Sequence, residues 1–157
     1  MRKLYCWTCK KNCDHTTRAI EETYPVKGEP ITIVANVSFC SECGKPILDP
    51  VQDNENLAKA FNAFRESHCF LFPKEIKAIR DKYNLSQNDF GLLLGLEAKT
   101  IARYEEGSLQ EVSHNNLIAL ADNPHNIEFL LEKNPSVLPE TERLKLLQVV
   151  ENLKSKD

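Results

Sequence analysis

The chain has 157 residues, 41 % hydrophobic and 27 % charged, with a formal net charge of −3. That apolar content is too high for a disordered chain and sufficient for one packed domain or two small ones. No apolar run approaches the ~18 residues of a membrane helix, and Met1-Arg2-Lys3-Leu4-Tyr5-Cys6 lacks the apolar stretch of a secretion signal, so a cytoplasmic protein without membrane partners is expected.

In chain order, Cys6-x2-Cys9 and Cys40-x2-Cys43 come first. Between them Thr16 to Glu22 and Ile31 to Phe39 are rich in β-branched residues, with Pro25 and Gly28 at a turn, which predicts an antiparallel hairpin delivering Cys40. Asp53 to Ser67 reads as a helix with Leu57, Phe61 and Phe64 along one face. Cys69 to Phe72 is a short connection, too apolar to be free, and Pro73 opens the next helix, striped by Ile76, Ile79 and Tyr83.

Ser86 has the character of an N-cap, with Asp89 at N3 and Leu85 and Phe90 placed for a hydrophobic staple. Gly95 suits the left-handed position that ends that helix. After a turn at Leu96-Glu97, Ala98 to Glu106 forms a helix stopped by Gly107. Ser113 to Ala121, His125 to Lys133 and Glu140 to Lys154 complete the series. The last carries Leu144, Leu147, Val150 and Leu153 as a stripe, open to dimerisation or to packing on its own subunit.

The six cysteines of a chain that is not exported point to metal rather than disulfides. Cys6, Cys9, Cys40 and Cys43 supply four soft thiolates, the ligand set of a closed structural Zn2+ site. An iron–sulfur cluster takes the same set. Cys13 and His15 either replace a member of the first pair or stand beside it as a free thiol and a surface imidazole. Cys69 reads as a small buried hydrophobe. A filled four-thiolate shell leaves no open position for water, so no catalytic role is expected there.

In a helix-turn-helix one helix crosses the DNA backbone and the next enters the major groove. With Ile101 and Tyr104 facing a core, Lys99 and Arg103 share the opposite face of Ala98 to Glu106, with Thr100 beside them. Arg103 is suited to guanine, Lys99 to a base edge or phosphate, and Gln87 to a phosphate. Lys74, Lys77, Arg80 and Lys82 add positive charge nearby, and Glu105 and Glu106 read as ordinary solvated companions.

Leu85-Ser86-Gln87, Gly95 and Arg103-Tyr104-Glu105-Glu106-Gly107 resemble the core of the XRE/Cro helix-turn-helix family. Together with the cysteine pairs and Phe61-Asn62-Ala63-Phe64-Arg65, in this order, they resemble MqsA-type antitoxins. The stretch from Phe72 to about Asn123 also resembles the regulators of Panacea-type systems. The resemblance implies a homodimer repressing its own operon through a palindromic operator in double-stranded DNA, and a zinc domain that neutralises a toxin from a neighbouring gene. The chain departs from MqsA-type proteins in carrying Lys99 where an Asn stands one turn before the recognition Arg.

These observations predict an α+β protein: a zinc-bound β-hairpin domain (1–48), a connecting helix and linker (49–72), a helix-turn-helix domain (73–134) and a C-terminal amphipathic helix (135–157). A sequence-specific transcriptional regulator of the antitoxin type follows. The rivals are a phage or mobile-element repressor without a toxin, and a zinc-stabilised adaptor that binds protein only.

Overall fold

The computed structural model describes residues 2–156 and divides into two compact units, Met1–Cys69 and Phe70–Asp157. The fold is α+β, with the strands in the first unit and most of the helix in the second.

In the first unit β1 (Leu4–Cys6) and β2 (Lys11–Cys13) form a small antiparallel pair. A second sheet runs β3 (His15–Val26), β4 (Glu29–Cys40), β5 (Pro46–Ile47), with β4 in the middle. The hairpin is longer than the β-branched runs suggest. It closes on Lys27-Gly28, both with positive φ (49° and 81°), the two-residue turn whose twist matches the strands. Pro25 lies not in the turn but in the ladder, opposite Pro30. The short strands β1, β2 and β5 give too few residues for an alternating pattern to be read.

Helix α1 (Pro50–His68) begins at Asp49, whose carboxylate accepts from the Val51 N–H at 3.2 Å. Its buried residues are Asn56, Ala60, Phe64 and Arg65, so the inward face is rotated from the expected one and Leu57 is exposed. The reason is polar. Asn56 sits at 1 % exposure, its Nδ2 donating to the Asn36 carbonyl (2.8 Å) and its Oδ1 accepting from the Asn36 N–H (2.9 Å). One side chain thus replaces a strand beside β4 where β5 has ended. Cys69 closes α1 in the left-handed conformation (φ 54°) and is exposed, against the expectation of a buried thiol.

The second unit is helical: α2 (Pro73–Lys82), α3 (Gln87–Leu94), α4 (Ala98–Glu106), α5 (Val112–Ala121), α6 (Pro124–Lys133) and α7 (Glu140–Lys154). Ile76, Ile79, Tyr83, Phe90, Ile101, Ile118, Ile127, Leu146 and Val150 form one core. The connection is fixed to this unit. The Leu71 N–H donates to Asn115 Oδ1 (2.9 Å), and Gln110 Nε2 donates to the Leu71 carbonyl (2.8 Å). Helix α7 packs on α6, burying Leu146 and Val150, while Leu144 faces outward. Val150, Leu147 and Leu153 of the expected stripe thus pack on the core of their own chain, and Leu146 takes the place expected of Leu144.

Candidate metal centre and nucleic-acid interface

Two turns of like shape build the cysteine cluster. Cys6 to Cys9 is followed by Lys10 at φ 55°, and Cys40 to Cys43 by Gly44 at φ 72°. The Cys9 N–H points at Cys6 Sγ (3.5 Å) and the Glu42 N–H at Cys40 Sγ (3.4 Å). The β3–β4 hairpin and β1 bring the turns together. Cys6 and Cys43 Sγ lie 3.6 Å apart, Cys9 and Cys40 Sγ 4.0 Å apart, and all four sulfurs fall within 4.8 Å of one another.

Four thiolates about an ion with ~2.3 Å bonds stand ~3.8 Å apart along each tetrahedral edge. Those two separations bracket that figure and the other pairs exceed it by at most about 1 Å, so the four cysteines are placed to hold one metal ion with small adjustment. Backbone N–H groups of Cys43 and Glu42 hold the Cys40 thiol down, to about 6, whereas hydrogen bonding with Cys43 and burial push Cys9 upward.

Cys13 is neither a member of this set nor a surface thiol. It is 1 % exposed on β2, and burial together with the neighbouring Cys40 thiol pushes it up to about 11. His15 stands opposite Cys40 in the ladder and belongs to neither metal-ligating group among the described residues; its Nδ1 is buried without a hydrogen-bond partner. Trp7, in the first turn, is 76 % exposed and packs edge-on against Tyr5 at 5.0 Å.

A second polar centre in this unit is built on Asp49. Asp49, 2 % exposed, accepts from Ser38 Oγ (3.0 Å) and pairs with Arg2. Burial raises its carboxyl, but Arg2, Ser38 and the Gln52 N–H outweigh burial and hold it below the usual Asp range.

In the helical unit, Ser86 Oγ accepts from the Asp89 N–H at 3.0 Å and starts α3, with Leu85 and Phe90 buried on either side of the cap. Gly95, at φ 73°, ends it. Between them Gly91 decides how closely the turn can return. A Cβ there would stand 2.5 Å from the Leu96 carbonyl oxygen, and the Leu96 N–H bonds the Gly91 carbonyl at 2.8 Å. Gly91 is not among the residues expected to matter, although a glycine inside an apolar helix is the signal that marks such an approach.

Ile101 and Tyr104 of α4 are buried, and Lys99 and Arg103 are exposed on its other face. Thr100 is half-buried beside Arg103, with Oγ1 3.4 Å from the guanidinium. Gln87 is held elsewhere than expected, its amide donating to Glu105 Oε2 at 2.9 Å.

Glu105 is not a solvated companion. Its carboxylate takes Arg80 Nε at 2.6 Å and Nη2 at 3.0 Å, while Arg80 Nη1 donates to the Leu85 carbonyl at 2.8 Å. The side chains are 12 % and 7 % exposed, so Arg80 ties α2 to α4 and to the start of α3 rather than offering charge to a partner. Burial pushes Glu105 upward, but Arg80 and Gln87 outweigh it and leave the carboxyl below the usual Glu range. Lys77 and Lys82 are likewise paired, with Asp81 (2.5 Å) and with Asp122. Of the four cations expected beside α4, Arg80 is thus buried in its pair, Lys82 is half-buried, and Lys74 and Lys77 stay exposed.

A family model described as the antitoxin component of a bacterial toxin–antitoxin system, MqsA, matches residues 1–142. The chain belongs to the MqsA antitoxin family. The match takes in both the cysteine cluster and the helices around α4, and ends in the first turn of α7. No curated protein matches the chain. Membership carries an antitoxin role, which fits a cluster able to hold a metal; no helix among the described residues is long and apolar enough to cross a membrane.

Proposed function

We propose that this antitoxin is a cytoplasmic, sequence-specific DNA-binding repressor of its own operon, acting by binding and not by catalysis. The observation that carries the reading is α4. It is locked by Ile101, Tyr104 and the Arg80–Glu105 pair on one side, and offers Lys99 and Arg103 on the other. A rigid helix with two cations a turn apart suits the major groove, where an Arg donating twice to guanine is worth ~1–3 kcal/mol of discrimination. Lys99, side chain 75 % exposed and 3.0 Å from Glu97, reads a base edge or grips a phosphate. Gln87 reaches the backbone only from its hold on Glu105. A homodimer on a palindrome would space two such helices one turn of DNA, ~34 Å, apart.

The first unit binds the toxin, with Zn2+ as its structural ion. A free sheet edge supports this. Because Asn36 turns its N–H and C=O toward Asn56, its ladder partner Ala19 turns its own outward, as do Thr17, Glu21 and Thr23. That row is an edge to which a partner's strand can add.

Binding to DNA from upstream of the gene, followed by fluorescence anisotropy across a salt series, tests the reading. Affinity should fall steeply with salt, and Arg103→Ala should abolish preference for that DNA while leaving the melting temperature unchanged. Salt-indifferent binding, or full specificity in the variant, overturns it in favour of a protein-binding adaptor. A helical unit that binds DNA without any toxin encoded nearby would instead favour a mobile-element repressor.

A further inference from the structure

Cys13 has no part in the four-thiolate cluster, yet it is placed as a ligand. It sits on β2 opposite Leu4, buried to 1 % exposure. Its Sγ, Cys9 Sγ and a Glu42 carboxylate oxygen all lie within 4.8 Å of one another. Cys9 belongs to both groups. The donors come from three places that the fold fixes separately: the first turn, β2 and the second turn.

We propose that Cys9, Cys13 and Glu42 form a second cation position that shares the Cys9 sulfur with the four-thiolate centre and takes a thiophilic d10 ion such as Zn2+ or Cd2+. The electrostatics favour it. Four thiolates around one divalent ion leave two negative charges uncompensated, and a second cation on the edge of the cluster offsets them. Soft thiolates select such ions, and a thiolate lone pair not used by the first metal remains available on Cys9. Binding displaces the Cys13 proton to solvent, so uptake falls as pH falls.

A competitor is already present. Lys11 Nζ stands 2.9 Å from Glu42, and the pair is half-exposed. The ammonium neutralises Glu42 until a metal ion replaces it, which makes the second position the weaker and ties its affinity to Lys11.

The inference assumes that the four cysteines hold the first ion, and the test separates the two. Full-length protein is titrated with Cd2+ and the ions per chain are counted by native mass spectrometry. The native chain should take up two ions, and Cys13→Ser only one, that first ion showing the primary centre intact. Cys69→Ser should keep both. Glu42→Gln, at an exposed position, should weaken the second step alone, on the order of tenfold, and Lys11→Ala should strengthen it. One ion in the native chain at excess Cd2+, or two in Cys13→Ser, overturns the proposal. Should Cys13→Ser fail to fold, a second step in Glu42→Gln as strong as in the native chain overturns it equally.

Discussion

The two units hold themselves together by different means. Beside the cysteines the buried apolar cluster consists of Leu4, Cys6, Cys13, Cys40 and Ile47, and three of those five are thiols. The helical unit packs sixteen buried residues, from Ile76 to Val150, around one core. Small domains with thin cores need a staple, and a metal on four thiolates is such a staple. The helical unit has the larger apolar core, and its buried polar group, Arg80–Glu105–Gln87, ties α2 to α4 and fixes the pose of α4 as well as adding stability. The same chain thus uses charged and ligating groups in two ways, as the staple of a thin core in one unit and as a brace on one helix in the other.

The largest expected effect follows from removing a ligand. Cys6→Ser should cost the first unit its metal and its sheet, because the binding free energy of a structural zinc, ~10–16 kcal/mol in zinc-finger peptides, is folding free energy. Far-UV circular dichroism should lose strand signal and the helix signal of α1, and keep that of α2 to α7. Trp7, already 76 % exposed, is a poor emission probe of this loss. Near-UV dichroism of the Tyr5–Trp7 pair serves better, since their 5.0 Å edge-on packing depends on the first turn.

Arg80→Ala strikes the other unit. Leaving Glu105 buried without its partner should destabilise the helices by ~3–5 kcal/mol, read by thermal melting, without altering metal content. Gly91→Ala forces a Cβ to within 2.5 Å of a backbone oxygen and should cost ~1–3 kcal/mol. It should also weaken DNA binding by more than the stability loss explains, because α4 must shift.

Acid should separate the units. Asp49 and Glu105 both have carboxyls held low in the folded chain. Each contributes stability that is fully present above its unfolded value, ~3.9 for Asp and ~4.3 for Glu, and that is lost as pH falls through the lower folded value. Protons also compete with the ion for the four thiolates, so the cluster should release its metal as the pH falls, before these carboxyls titrate. The strands and α1 should therefore be lost at higher pH than α2 to α7; simultaneous loss would remove the distinction between the units.

Much of this was legible from residues alone. The two Cys-x2-Cys pairs, the Ser86 cap with its Leu85–Phe90 staple, Gly95, and the inward Ile101 and Tyr104 all rest on local rules, and the folded chain obeys them. What stayed hidden depends on groups distant in sequence. Asn56 takes the inward face of α1 because Asn36, twenty residues away, needs a partner where β5 ends. Glu105 looks solvated until Arg80, twenty-five residues earlier, is found against it. Cys69 follows a helical apolar face, yet it caps the helix in a left-handed turn that leaves its thiol outside. Cys13 could not be placed by spacing, because its position follows from the β1–β2 pairing, three residues on each strand.

The most direct test of the contrast is hydrogen exchange, read by mass spectrometry, on the full-length protein before and after treatment with a strong chelator. Protection should vanish from β1 to β5, including the Asn36 amide held by Asn56, and remain across α2 to α7. Unchanged protection in the strands, or collapse of both units together, would contradict a metal-held first unit beside a self-sufficient second.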